Sequence, residues 1–132
     1  MDCLFCSIIA GDIPSKKVYE DDVAYAFLDI SPWQEGHTLV VPRRHSTDIL
    51  DDDTVLAEIA PAVARVGRLL KERLGAEACN VVSNAGAVAG QEVFHTHVHV
   101  LPRYADTPGI ANLKVPVAAP MDDVWRKLGG AE

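Results

Sequence analysis

The sequence is short of cysteine, of positive charge and of long apolar runs, and each shortage excludes something. Three cysteines in 132 residues cannot all pair within one chain, so no disulfide framework is expected to carry the fold. The longest early apolar stretch, Cys3 to Ala10, is broken by Ser7 and preceded by Asp2 rather than by a basic segment. It is too short and wrongly flanked for a secretory signal, and no run approaches membrane-spanning length. A reduced, cytoplasmic protein without a membrane partner is the expectation, its cysteines serving as ligands or core filler. Twelve Lys+Arg against 19 Asp+Glu leave a net charge of −7. A nucleic-acid backbone needs a basic face to grip it, so it is not an expected partner. A small anionic ligand in a local site remains compatible.

What is present suits a soluble globular chain. At 48% hydrophobic and 23% charged, the composition argues against general disorder. The length fits one domain with a core of its own.

Residues 3–10 read as a short helical segment stopped by Gly11 and Pro14. Val18–Glu20 and Val23–Leu28 flank Asp21-Asp22 as a strand–turn–strand unit. Thr38–Val41 is a continuous apolar strand between Gly36 and Pro42, as expected for a strand covered on both faces. Residues 54–74 hold the one long helical pattern, with Val55, Ile59, Val63, Val66 and Leu70 on one stripe. Asp52 or Asp53 is expected to cap it and Gly75 to end it, while Pro61 should kink it or mark its true start. Two strands follow, Asn80–Ser83 and one through Val98–Leu101, which Pro102 is expected to stop. Beyond Tyr104, Pro108, Pro116 and Pro120 interrupt regular structure, apart from a helical turn near Asp123–Leu128. The reading is an α+β fold: a mainly antiparallel sheet with one long helix packed on it. Residues 1–104 form the domain proper and 105–132 its C-terminal extension.

The strongest chemical signal is His95, His97 and His99. Alternate residues of a strand share a face at intervals of about 6.6 Å, so three imidazoles would project together, opposite Thr96, Val98 and Val100. Such a row can ligate a catalytic metal, or one member can attack phosphorus while its neighbours hold phosphate oxygens. Cys3 and Cys6 form half a zinc site, which His45 and one of these histidines could complete as a closed, structural tetrahedron. Cys79 reads as a small core residue. The loop from Asn84 to Gln91 is rich in Gly and Ala, which lets backbone N–H groups approach a phosphate. Asp29, ending an apolar strand, suits either a turn or the hydroxyls of a sugar. Arg43 and Arg44 read as solvated surface.

Residues 95–101 follow the pattern His-φ-His-φ-His-φ-φ (φ apolar), with Thr96 in the first φ position. Together with Phe5–Pro14, Tyr19–Asp22, Phe27–Pro32, Gly36–Pro42, Asn84 and Gly90-Gln91, they resemble the histidine triad (HIT) family, and within it the zinc-containing bacterial members of the Hint-like branch. The resemblance spans Cys3 to Arg103. It implies a HIT-like fold pairing into a homodimer, a purine nucleotide site and hydrolysis at the α-phosphate. His97 would be the nucleophile forming a nucleotidyl-histidine and His99 would bind phosphate oxygens. Asp29 would hold the ribose, and Phe5, Ile8, Phe27 and Ile30 would line the base pocket. Asn84 and the backbone from Gly90 through Gln91 would contact phosphate. Zinc would be held by Cys3, Cys6, His45 and His95, and no organic cofactor is implied. Glu92 stands where these proteins often carry a Ser that assists the leaving group, and Glu35 replaces a Pro. A phosphoramidase-like hydrolase releasing a nucleoside monophosphate is the first reading. The alternatives are a dinucleoside polyphosphate hydrolase, a metal-dependent hydrolase using the three histidines as ligands, and a non-enzymatic nucleotide-binding protein.

Overall fold

The computed structural model describes residues 3–130. Two short strands, β1 (Lys17–Glu20) and β2 (Ala24–Leu28), follow helix α1 (Leu4–Ile9), and β3 (Thr38–Pro42) precedes the long helix α2 (Val55–Leu74). Strands β4 (Ala78–Val82) and β5 (Val98–Arg103) and a terminal helix α3 (Met121–Lys127) complete the chain. The five strands form one sheet in the order β1-β2-β3-β5-β4, every neighbouring pair antiparallel. The fold is α+β.

The two faces of the sheet do different work. On one, Ala24, Ala26, Val40, Val98 and Val100 pack against Ile59, Ala62, Val66 and Leu70 of α2, with Cys79 half-buried beside them. On the other, Phe27, Leu39 and Val41 pack against Phe5 and Ile8 of α1. β3 lies in the middle, so all five of its residues are buried, as its unbroken apolar run predicts.

The stripe on α2 centres on Ala62 rather than Val63, which is only partly buried. Pro61 lies inside the helix without ending it. The ring faces solvent, and the carbonyl it leaves unpaired, that of Ala57, is on the same exposed side, where water can serve it. Asp52 supplies the start: its Oδ1 accepts from the N–H groups of Thr54 and Val55 at 2.7 and 2.8 Å, and Arg44 pairs with Asp52 and Glu58. Arg44 and these N–H donors hold the Asp52 carboxyl well below the usual carboxylate range. Gly75 ends the helix in the left-handed region.

Two expectations near the histidines need correction. Pro102 does not stop β5; it pairs with Cys79. Pairing with β3 ends at Val100, so beyond it β5 has a neighbour on one side only and tolerates a residue without an N–H. The regular strand also begins only at Val98, so His97 sits just before it and His95 at the end of a bend leading to it. The alternation nevertheless holds: the histidines share the α1 face, whereas the Thr96 Oγ1 bonds Ser46 Oγ at 2.9 Å and Val98 and Val100 meet α2.

Candidate active site and metal centre

Four side chains from three segments meet at the N-terminus of α1. Cys3 caps that helix, its Sγ accepting from the Cys6 N–H at 3.3 Å. One turn later Cys6 lies beside it, and the pair faces His95 from the approach to β5 and His45 from the loop after β3. The His95 Nδ1 is 3.3 Å from Cys3 Sγ and 3.5 Å from Cys6 Sγ, and the His45 Nδ1 is 3.5 Å from Cys6 Sγ. All four donor atoms lie within 4.8 Å of one another. Tetrahedral zinc, with bonds near 2.3 Å to sulfur and 2.0 Å to nitrogen, sets sulfur and nitrogen about 3.5 Å apart. The donor set fits. The far ring nitrogen of His95, Nε2, lies 2.9 Å from the Pro42 carbonyl oxygen. That oxygen can only accept, so the proton sits on Nε2 and the Nδ1 lone pair faces the sulfurs, as a metal-ligating histidine requires. Burial and the neighbouring Cys3 push the Cys6 thiol up to about 11; a bound cation would reverse that by favouring thiolate.

His97 and His99 are turned to a different task. The His97 Nδ1 is 2.7 Å from the His95 carbonyl oxygen, which fixes the proton on Nδ1 and leaves Nε2 as a lone pair. Its ring packs edge-on to Phe5 at 5.1 Å, and its own carbonyl accepts from Ser83 Oγ at 2.7 Å. Beyond it runs a directed chain. The Trp33 N–H donates to His37 Nδ1 at 3.1 Å, so neutral His37 carries its proton on Nε2. That nitrogen is 2.8 Å from His99 Nδ1, which must accept, and His99 is left with an N–H on Nε2. The Trp33 indole stacks on the His99 ring at 4.7 Å. Burial, together with His97 and His37 nearby, lowers the His99 pKa to about 4. Burial also lowers those of His37 and His97, against a raising influence from Asp29. The cluster is therefore neutral at physiological pH, with one lone pair and one N–H donor presented by adjacent rings.

Of the remaining residues singled out by sequence, Phe5 touches the His97 ring and Asp29 lies with His37 and His99. Phe5, Ile8 and Phe27 are buried together, Phe5 and Phe27 edge-on at 5.4 Å. Ile30 is 98% exposed. Asp29 accepts from the Ser31 N–H through Oδ1 at 2.8 Å, and its Oδ2 lies 3.6 Å from His37 Nε2 with the side chain 19% exposed. The side chain of Asn84 makes no hydrogen bond among the described residues and lies against Gly90, whose φ of 108° is in the region that favours glycine. The N–H groups of Gly90 and Gln91 are taken up within the loop by Ala87 and Gly86. The Gln91 side chain is buried, tying Gly86 to Thr47 and Val93; it shapes the loop from inside. Glu92 is exposed.

Sequence reasoning missed His37 and Trp33. A lone histidine before a buried strand carries no spacing signal. Only its meeting with His99, 62 residues on, gives it a role. Arg43 and Arg44 are engaged in surface ion pairs. Among the described residues, the three alternating histidines do not form one ligand set: His95 belongs with the cysteines, while His99 meets Asp29 and His37. The 2.8 Å contact between His37 Nε2 and His99 Nδ1 is a hydrogen bond, shorter than the spacing of two nitrogens on one metal.

The HIT domain family matches residues 10–106. An uncharacterised HIT-like protein of Methanocaldococcus jannaschii is 42% identical over 130 residues, covering 97% of this chain and 99% of that protein. A Streptococcus mutans protein of known structure superposes with a TM-score of 0.86 at 40% identity, covering 97% of this chain and 81% of its own. A zinc-bound histidine triad family protein from Mycobacterium smegmatis gives a TM-score of 0.76 at 41% identity over 80% of this chain and 77% of its own. The adenylylsulfatase HINT3 of Arabidopsis thaliana is 38% identical over 103 residues, 77% of this chain and 52% of that protein. With the family match covering most of its length and these relatives beside it, the chain belongs to the HIT domain family.

Proposed function

We propose that this protein is a nucleotidyl hydrolase that cleaves purine nucleoside phosphoramidates, or related nucleotidyl compounds, at the α-phosphate. The observation that carries the reading is the His97 Nδ1 contact to the His95 carbonyl, because it leaves Nε2 unprotonated in a neutral, buried ring. In the first step that lone pair attacks the α-phosphorus. A bond forms from Nε2 to phosphorus, the bond to the leaving nitrogen breaks, and that nitrogen keeps the electron pair. The proton it needs comes from water or from Glu92 in its acid form. His99 holds a phosphoryl oxygen through Nε2–H, and the Asn84 amide holds another. In the second step water attacks phosphorus, the bond to Nε2 breaks with its electrons returning to nitrogen, and the nucleoside monophosphate departs while water's proton passes to solvent.

Asp29 takes the ribose hydroxyls with the carboxylate oxygen that Ser31 does not use. A purine laid on Phe5, Ile8 and Phe27 would cover Ile30, which explains an otherwise bare isoleucine. Zinc held by Cys3, Cys6, His45 and His95 would supply a cross-link between α1 and the approach to β5 and take no part in bond making. The relative that is an adenylylsulfatase supports hydrolysis of an adenylyl group. β4 is a sheet edge with Val81 55% exposed, and a second copy pairing there would extend the sheet and remove that edge.

The test is release of AMP from adenosine 5′-phosphoramidate, without added metal, by the wild type and by His97→Ala. Release by the wild type alone supports the covalent route. Equal release by both overturns it, and AMP binding without turnover makes the protein a nucleotide-binding module. Light scattering tests the pairing: a mass of 14.3 kDa rather than twice that would refute it.

A further inference from the structure

The sheet face that carries His97 and His99 does not end with them. Along β5 the next residues on that face are Leu101 and Arg103, opposite Asn80 and Ala78 of β4, as Val82 is opposite His99. At a strand rise of about 3.3 Å per residue, Arg103 stands roughly 13 Å from His99. Beside this stretch lies a cavity of about 460 Å³ whose lining includes Asn80 and Arg103 together with Asn84, Gly90 and Trp33, the last of which stacks on His99. It therefore opens from the phosphate side of the site, away from Asp29 and Phe27.

The charge in this cavity is unbalanced. Arg103 Nη1 donates to Asn80 Oδ1 and to the Gly109 carbonyl, each at 2.7 Å, and Nη2 donates to the Thr107 carbonyl. All three acceptors are neutral. The Arg103 Nε is buried and has no partner. No carboxylate pairs with this guanidinium among the described residues, whereas Arg43, the other half-buried cation, pairs with Glu20. In a chain of net charge −7, a half-buried cation left without a counter-charge is conspicuous, since burying charge is costly unless it is paired.

We propose that this cavity is the leaving-group subsite and that Arg103 selects leaving groups ending in an anion, a carboxylate or a further phosphate. This rests on the hydrolase reading above, because it needs the bond being broken to lie between His97 and Arg103. Trp33, stacked on His99, forms the wall along which the leaving group runs. The neutral carbonyls and Asn80 fix the guanidinium in place and leave its charge for the ligand.

The experiment compares two phosphoramidates of AMP of the same length, one whose amine ends in a carboxylate (from β-alanine) and one ending in the primary amide. The wild type should favour the carboxylate by about ten-fold or more in kcat/KM, the ratio should fall toward one in Arg103→Gln, and Arg103→Lys should retain part of it. Equal kcat/KM for the pair in the wild type overturns the proposal whether or not any variant folds. A preference that survives Arg103→Gln overturns the role of Arg103. If the wild type cleaves neither compound, the hydrolase reading fails separately. The same pair then serves as stable ligands for calorimetry, where equal affinities overturn anion recognition by Arg103 too, and a preference for the carboxylate keeps that recognition while the leaving-group role falls with the hydrolase reading. ADP against AMP by calorimetry reads the phosphate source in the same way.

Discussion

His97 donates its Nδ1 proton to the backbone carbonyl of His95 at 2.7 Å, while the ring of His95 points at two cysteine sulfurs. One residue therefore serves two centres, its side chain completing the cysteine–histidine cluster and its carbonyl setting the tautomer of the neighbouring ring. Whatever fixes the His95 side chain also fixes that carbonyl. A metal in the cluster would act on the rate by way of the backbone and without touching substrate.

Metal removal should thus have a kinetic signature as well as a structural one. Zinc is expected at one ion per chain by atomic emission and should be lost in Cys3→Ala. Stripping it should lower the melting temperature and lower kcat by roughly 10- to 100-fold, as outer positioning groups do, with little change in affinity for AMP. A stripped protein that keeps its kcat would show that the His95 carbonyl is held by the fold alone.

The Trp33–His37–His99 chain makes a second, separable prediction. His37→Phe keeps a ring of similar size but removes the donor that holds His99 in the Nε2–H tautomer. The rate should fall on the order of 100-fold, since a wrong tautomer costs much of the power of a histidine centre. Binding of AMP should weaken far less. Single-turnover rates and AMP titrations on the same preparation decide it; an unchanged rate would mean that His99 orients without His37.

How legible each residue was depended on how local its signal is. The histidines at alternate positions, the Cys-x-x-Cys pair and the apolar run of β3 are periodic or closely spaced, so sequence alone places them on the right face. His45 was a candidate from its residue type, and its Nδ1 does come to 3.5 Å from Cys6 Sγ; the choice of His95 among the three histidines came from the resemblance. His37 and Trp33 were invisible because their meaning lies in a pairing across the sheet, where Leu39 lines up with His99. Pro102 was misread as a stop, and Pro61 does not mark the start of α2, both for the opposite reason. Proline rules assume a neighbour that needs the missing N–H, and at both positions there is none: β5 has lost β3 by then, and Ala57 faces water. The N–H groups of Gly90 and Gln91 looked available because Gly-rich loops often form anion nests, yet a short helical turn at Ala87–Ala89 takes them up.

Stability should depend on pH through the buried imidazoles. The His99 pKa is lowered to about 4, through burial and then the neighbouring His97 and His37, and that of His37 is lowered as well. An unfolded histidine titrates near 6.5, so between about pH 4 and 6.5 the unfolded chain binds more protons than the folded one. Stability therefore rises with pH across that window and levels off above it. Melting temperatures measured from pH 4.5 to 8 should climb to about pH 7, and His99→Gln should flatten the climb. A wild-type curve that falls over this range would contradict neutral burial of these rings.

The two faces of the sheet should respond differently to equal damage. Ile59→Ala removes a fully buried side chain of α2 from the core behind the sheet, at about 2–5 kcal/mol. Phe5→Ala removes a buried ring from the front, at about 3–5 kcal/mol, but that ring also touches Phe27 and His97 edge-on. Both variants should lose comparable stability in urea unfolding. Only Phe5→Ala should also raise KM and lower kcat when rates are corrected for the folded fraction, because only it loosens the wall against which the nucleophile packs. If Ile59→Ala slows turnover as much as Phe5→Ala at equal folded fraction, the back core controls the site through the sheet, and the front wall has no special share in catalysis.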